Sequence, residues 1–221
     1  MRATLLLIGV ACLALLLALG YRLFHARQSA QQLPLPTAAW SAAAPGANAR
    51  QVEVYVDRDG RAALGGYPAQ SGAGETNAAL DALKGDPAVT AALRVRPETP
   101  FAALRPVLAQ LKAAGFERFR FDVRSERNGA IGGIAFQPLD AFTPEESLFV
   151  AISPTTVHVR DQDFDFYSLD AVFRGLAEED RRTKILVNVE PAVSCQQLIG
   201  VLELCAHAGL SNVNLWIRAA R

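Results

Sequence analysis

The sequence predicts an α+β chain: an N-terminal transmembrane helix followed by two tandem small α/β-sandwich domains, each a mixed sheet with two helices on one face. Three observations predict it. Residues 3–20 carry no charged side chain, residues 28–50 are rich in Ala, Gln and Pro, and the rest resembles itself when slid 94 positions along. At 51% hydrophobic and 20% charged residues, the 221-residue chain has enough apolar side chains to build cores. Twenty-two basic against 22 acidic residues leave no net charge to gather nucleic acid, which excludes it as an expected partner.

Taken in order, Ala3 to Gly20 is 18 residues long, which at about 1.5 Å per residue makes roughly 27 Å of helix, close to a hydrocarbon core of about 30 Å. Tyr21 to Phe24 can extend it if Arg22 snorkels outward. The stretch exceeds the usual signal-peptide core and ends in aromatic and basic residues, so 1–27 is read as a retained single-pass anchor. Gly9 stands where a lipoprotein box needs a branched apolar residue, so Cys12 is not read as lipidated. Flanking charge is nearly balanced, with Arg2 on one side and Arg22 and Arg27 on the other, and does not set the orientation. Residues 28–50, with Pro34, Pro36 and Pro45, read as a linker.

The repeat divides the remainder into 51–123, a connector 124–146, and 147–221. Leu93 to Pro97 falls on Val187 to Pro191, Val107-Leu108 on Val201-Leu202, and Ala114-Gly115-Phe116 on Ala208-Gly209-Leu210, without a gap. Each unit opens with a strand, Gln51 to Val56 or Ser147 to Ile152. A turn at Asp57 to Gly60 or Ser153 to Thr156 leads to a second strand, Arg61 to Leu64 or Val157 to Arg160. An amphipathic helix follows, marked by Leu80 and Leu83 in the first unit and by Leu169, Val172, Phe173 and Leu176 in the second. Next come a strand (Ala91 to Val95; Lys184 to Val189), a turn at the shared Pro, and a longer helix (Phe101 to Ala114; Cys195 to Ala208). The shared glycine, Gly115 or Gly209, is placed to end that helix at positive φ. The last strand is Phe119 to Val123 or Val213 to Ile217. Strand–helix–strand crossovers are right-handed, which places both helices of a unit on one face.

This order of elements resembles the periplasmic domain of the ExbD/TolR family. The residues that carry the resemblance are Val52 to Gly60, Pro97 through Gly115 with Phe119 to Val123, and, in the second unit, Phe149 to Arg160 and Pro191 through Ile217. The resemblance implies a bacterial inner-membrane protein with one span and periplasmic domains. It also implies a non-catalytic part in a proton-driven transport or envelope complex with an ExbB/TolQ-like membrane partner. A periplasmic protein or peptidoglycan is the implied target, and an adaptor with the same fold and no motor role is the alternative. Two departures stand out. The family's membrane helix carries a proton-handling aspartate, and residues 3–20 hold no Asp, Glu, His, Lys or Arg, so this chain is not expected to conduct protons itself. Family members also have one such domain and dimerise, whereas two are joined here, making either a homodimer or an internal pseudo-dimer.

No catalytic, cofactor-binding or metal-binding residue is assigned. Cys195 begins a helix, but His207 is twelve residues on, roughly 18 Å away by helical rise. Cys205 is ten residues on, roughly 15 Å, too far for a disulfide that needs Cα atoms within about 7 Å. Asp161, Asp163 and Asp165 resemble the start of a calcium loop, but Phe166 and Val172 occupy the positions of its turn glycine and its bidentate glutamate, so the segment reads as a solvated loop. Gly129 to Gly133 lacks the spacing of a phosphate-binding loop and is read as connector. Phe164, Phe166 and Tyr167 are expected to pack on the second unit's helix.

Overall fold

The computed structural model describes residues 34–39, 51–64, 89–139 and 147–217. The expected span at 3–20 and the helix expected around Leu80 and Leu83 lie outside these residues. Among the described residues no helix is long and apolar enough to cross a membrane.

In the first half, Val54 and Val56 alternate with Tyr55 along β2 (Gln51–Val56), the period of a strand whose two faces meet different surroundings. β2 pairs antiparallel with β3 (Ala62–Leu64) through a turn that Asp57 closes by accepting the N–H groups of Asp59 and Arg61 at 2.9 and 2.8 Å. Gly60 in that turn has φ 80°, and a Cβ there would lie 2.5 Å from the Ala103 carbonyl oxygen, so only glycine lets the turn rest on the helix behind it. β4 (Thr90–Val95) lies parallel to β2, and β5 (Arg118–Ser125) parallel to β4. α1 (Phe101–Ala113) connects them, burying Phe101, Leu104, Val107, Leu108 and Leu111.

The second half repeats these pairings. β7 (Ser147–Ile152) pairs with β8 (Val157–Val159) and with β10 (Lys184–Val189). β10 pairs with β11 (Val213–Trp216), and α3 (Cys195–His207) makes the crossover. Ala91 faces Phe119 across β4 and β5, and Ile185 faces Val213 across β10 and β11, so a shift of 94 carries one register onto the other. Both long helices end at a glycine of positive φ, Gly115 at 93° and Gly209 at 85°.

The two sandwiches expected in tandem form one continuous sheet, in the order β3-β2-β4-β5-β6-β11-β10-β7-β8-β9, where β6 spans Ile131–Leu139 and β9 spans Gln162–Phe164. The strand that splices them, β6, lies in the segment read as connector. It runs antiparallel to β5 from Ile131 to Phe136 and then parallel to β11 from Gln137 to Leu139. Gly132, Gly133 and Pro138 read as loop signals in the sequence, yet each has a place in a strand. Gly133 passes beneath Arg120, whose Cδ would lie 3.1 Å from an added Cβ. Pro138 falls beyond the last pairing with β5, where no strand among the described residues pairs with that edge of β6 and a missing N–H is tolerated.

Two further strands depart from the expected loops. Within 28–50, β1 (Thr37–Ala38) adds in parallel to the end of β5, and Ala38 is buried. Gln196 of α3 closes the other side of β1, its side-chain amide accepting from the Thr37 N–H at 3.0 Å and donating to the Thr37 carbonyl at 2.9 Å. In the aspartate-rich segment, β9 (Gln162–Phe164) forms a hairpin with β8, and His158 pairs with Asp163 at 2.9 Å. Phe164 and Phe166 pack against the core beside α2 (Leu169–Glu179) as expected, whereas Tyr167 is 97% exposed.

Candidate functional site: a cleft between the two halves

The helices of both halves share one apolar core with the alternate strand residues Val54, Leu93, Phe121, Val150, Val187 and Leu215. The intervening strand residues face away from it, and in the first half they include Glu53, Arg94, Arg120 and Asp122. Arg94 on β4 donates to Asp122 Oδ2 at 3.0 Å, to the Tyr55 hydroxyl at 2.8 Å and to Glu53 at 2.8 Å. Arg120 reaches Asp122 Oδ1 at 2.9 Å in an ion contact whose angle is too poor for a hydrogen bond, and its own Nε is buried without a partner. Burial works against the Arg94 charge, but Asp122, Glu53 and Tyr55 more than offset it and hold its pKa above the ordinary arginine value. Burial, with the hydrogen bond to Glu53, raises the Tyr55 pKa. The corresponding second-half residues are Phe149, Ala151, Asn188, Asn214 and Trp216, so the halves share a backbone but not this network.

The halves join through backbone. Phe101 N–H donates to the Val193 carbonyl at 2.8 Å, and Cys195 N–H to the Thr99 carbonyl at 2.8 Å. Ala102 N–H donates to Pro191 at 3.0 Å, and Gln196 N–H to Pro97 at 2.9 Å. Each bond becomes its counterpart when the two halves are exchanged by the 94-residue shift. The first N–H groups of α1 and α3, which have no acceptor within their own helix, are thus satisfied by the loop that precedes the other helix. α3 adds a capping box between Ser194 and Gln197, while Pro100 leaves α1 without a side-chain cap.

A second junction is a cleft of about 320 Å³. Its walls include Glu117 to Arg120 at the start of β5 and Ser211 to Val213 at the start of β11, with Ala135 to Gln137 of β6 between them and Gln51 and Thr90 at the side. The 94-residue shift carries Glu117 to Phe119 onto Ser211 to Val213, so the cleft straddles the same two-fold relation as the helix-capping bonds. Sequence reading did not single out these residues. Their signal, the tripeptides after the shared glycines, becomes visible only once the repeat is treated as two surfaces that meet.

The side chains weighed for chemistry are not gathered there. Cys195 and His207 sit at opposite ends of α3. Cys195 and Cys205 are free and buried. Burial pushes both thiols up to about 12, and the nearby Glu98 charge adds to the shift at Cys195. No group of three or more metal-ligating side chains is found among the described residues. A helix-backed mixed sheet with a cleft on its seam, largely apolar in lining with a few polar side chains at its walls, has the build of a binding module. The family model of the biopolymer transport protein ExbD/TolR matches residues 10–126, more than half of the chain, and the chain belongs to that family. The match ends one residue past β5. Members of the family are non-enzymatic transport and envelope components, inner-membrane proteins with periplasmic domains that work with ExbB/TolQ-type membrane partners. No curated protein matches the chain.

Proposed function

We propose that this chain is a membrane-anchored, non-catalytic component of a proton-motive-force-driven transport or envelope complex, working beside an ExbB/TolQ-like partner without conducting protons itself. The single observation that carries this reading is the family match across residues 10–126, set against an apolar stretch at 3–20 with no titratable side chain at neutral pH. The stretch serves as the single span in the inner membrane, and the two units stand in the periplasm. We further propose that the units are copies of one ancestral domain, which is supported by the shared 94-residue register and the reciprocal capping of α1 and α3. Their pairing takes the place of a homodimer, and recognition of a periplasmic protein or of peptidoglycan is their work.

Affinity purification of the full chain from its own membranes tests the reading. A co-purifying multi-span partner of the ExbB/TolQ type is the expected result, and dissipating the proton gradient should alter how the periplasmic units cross-link. Repeated recovery without any such partner would leave the gradient-independent adaptor as the answer.

A further inference from the structure

We propose that the cleft on the pseudo-two-fold seam binds the C-terminal carboxylate of an extended peptide, and that it does so in one orientation. A cleft on a true two-fold would present the same residues on both walls. Here Glu117-Arg118 on one wall faces Ser211-Asn212 on the other, so cationic side chains stand on one side only. Arg118 is exposed and makes no ion pair among the described residues. Arg120 is held by Asp122 at 2.9 Å, and Arg94 occupies the other Asp122 oxygen at 3.0 Å, so the Arg120 guanidinium is positioned before any ligand arrives. Asp122 already answers the Arg120 charge, whereas Arg118 has no ion pair among the described residues, so a ligand carboxylate beside Arg118 gains a charge-assisted hydrogen bond, with the Arg120 guanidinium held alongside.

The rest of the lining selects the body of the ligand. The side-chain amides of Gln51, Gln137 and Asn212 both donate and accept, as the backbone of a peptide requires. An acidic sugar fits less well, because Phe119 and Phe136 are 1% and 4% exposed and pack on each other at 5.8 Å, which leaves no aromatic face for a ring to stack on. About 320 Å³ is at the low end of the range for small-ligand sites, roughly 300–1,000 Å³. It takes the end of a chain and not a long stretch of one.

The inference rests on the two-fold relation of the halves and not on the motor role, so either can fail alone. The test is fluorescence anisotropy of N-terminally labelled trialanine, as free acid and as C-terminal amide, against the detergent-solubilised full chain. The acid is expected to bind saturably and the amide about tenfold more weakly, the loss of roughly one charged hydrogen bond. Arg118→Gln and Arg118→Glu should weaken the acid, the second more, and leave the amide unchanged. Both alter an exposed side chain and keep the fold. Arg120→Lys, which retains the charge beside Asp122 but loses the planar fork, should weaken the acid less, and Arg174→Gln on α2 should change nothing. Equal binding of acid and amide, no binding of either at millimolar concentration, or indifference to Arg118→Glu would overturn the proposal. Displacement of the peptide by glucuronate as effective as by acetyl-trialanine would overturn its assignment to a peptide.

Discussion

Cys195 and Cys205 illustrate how burial decides reactivity residue by residue. A thiol at a helix start is favoured as a thiolate by the helix dipole. At Cys195 desolvation wins, because the side chain is 0% exposed and its pKa is pushed up to about 12. Both thiols should therefore resist alkylation at pH 8 in the folded chain and react at once in denaturant, as counted by mass spectrometry. Since their folded values stand above the unfolded value near 9, the unfolded state alone loses protons between pH 9 and 12. Stability is thus unaffected below about pH 9 and falls as pH rises through that window, by at most about 1.4 kcal/mol per pH unit for each thiol. Urea melts at pH 8 and pH 10 check the direction. Asp122 presents the opposite case, a charge that is 1% exposed and held by two arginines. Asp122→Ala leaves Arg120 without its carboxylate and Arg94 with Tyr55 and Glu53 alone, and should cost about 3 kcal/mol by urea denaturation, whereas Arg96→Ala, at an exposed pair, should cost less than about 1 kcal/mol.

Helix starts matter more than helix interiors in joining the elements. α1 and α3 each borrow two carbonyls from the opposite half, so shortening one helix disturbs both. Ser194→Ala removes the side-chain acceptor of Gln197 N–H and the capping box with it, and should lower stability by about 1 kcal/mol in thermal or chemical melts. These helices and the strands around them were legible, because Pro97 and Pro191, Gly115 and Gly209 and the period of Leu104, Val107, Leu108 and Leu111 are local signals. β6 was not legible, because its two glycines and its proline are loop signals whose strand role depends on Arg120 and on where β5 ends, both set by tertiary neighbours. β1 was hidden for the same reason, since two residues of an Ala/Pro-rich segment become a strand only against β5 and Gln196. β9 was hidden by Asp163 and the flanking Asp161 and Asp165, since charged residues mark an outer strand as strongly as a loop. The cleft needed the repeat to be read as a pair of facing surfaces, which no single motif announces.

At the scale of the whole molecule, an interface built from the same segment on both sides is isologous, and an isologous interface closes once its two copies have met. The segments 97–102 and 191–196 meet within one chain, which leaves neither available to a second chain. Whether this holds in the full chain can be read from where a disulfide forms. Pro100 and Ser194 face each other in an antiparallel bridge, a geometry that sets Cα atoms about 4.5–5.5 Å apart and within disulfide reach. In the full chain carrying Cys12→Ala, mild oxidation of the double variant Pro100→Cys with Ser194→Cys should give one bond within each chain, seen as a faster-migrating monomer on a non-reducing gel. Each single variant should stay reduced, because Cys195 and Cys205 are buried and poorly ionised. Exchange of segments between chains would instead produce a covalent dimer of twice the mass, with the double variant and not with either single one. The self-closed pair then also sets what each chain brings to a complex, both halves joined along their own seam and the cleft that lies on it.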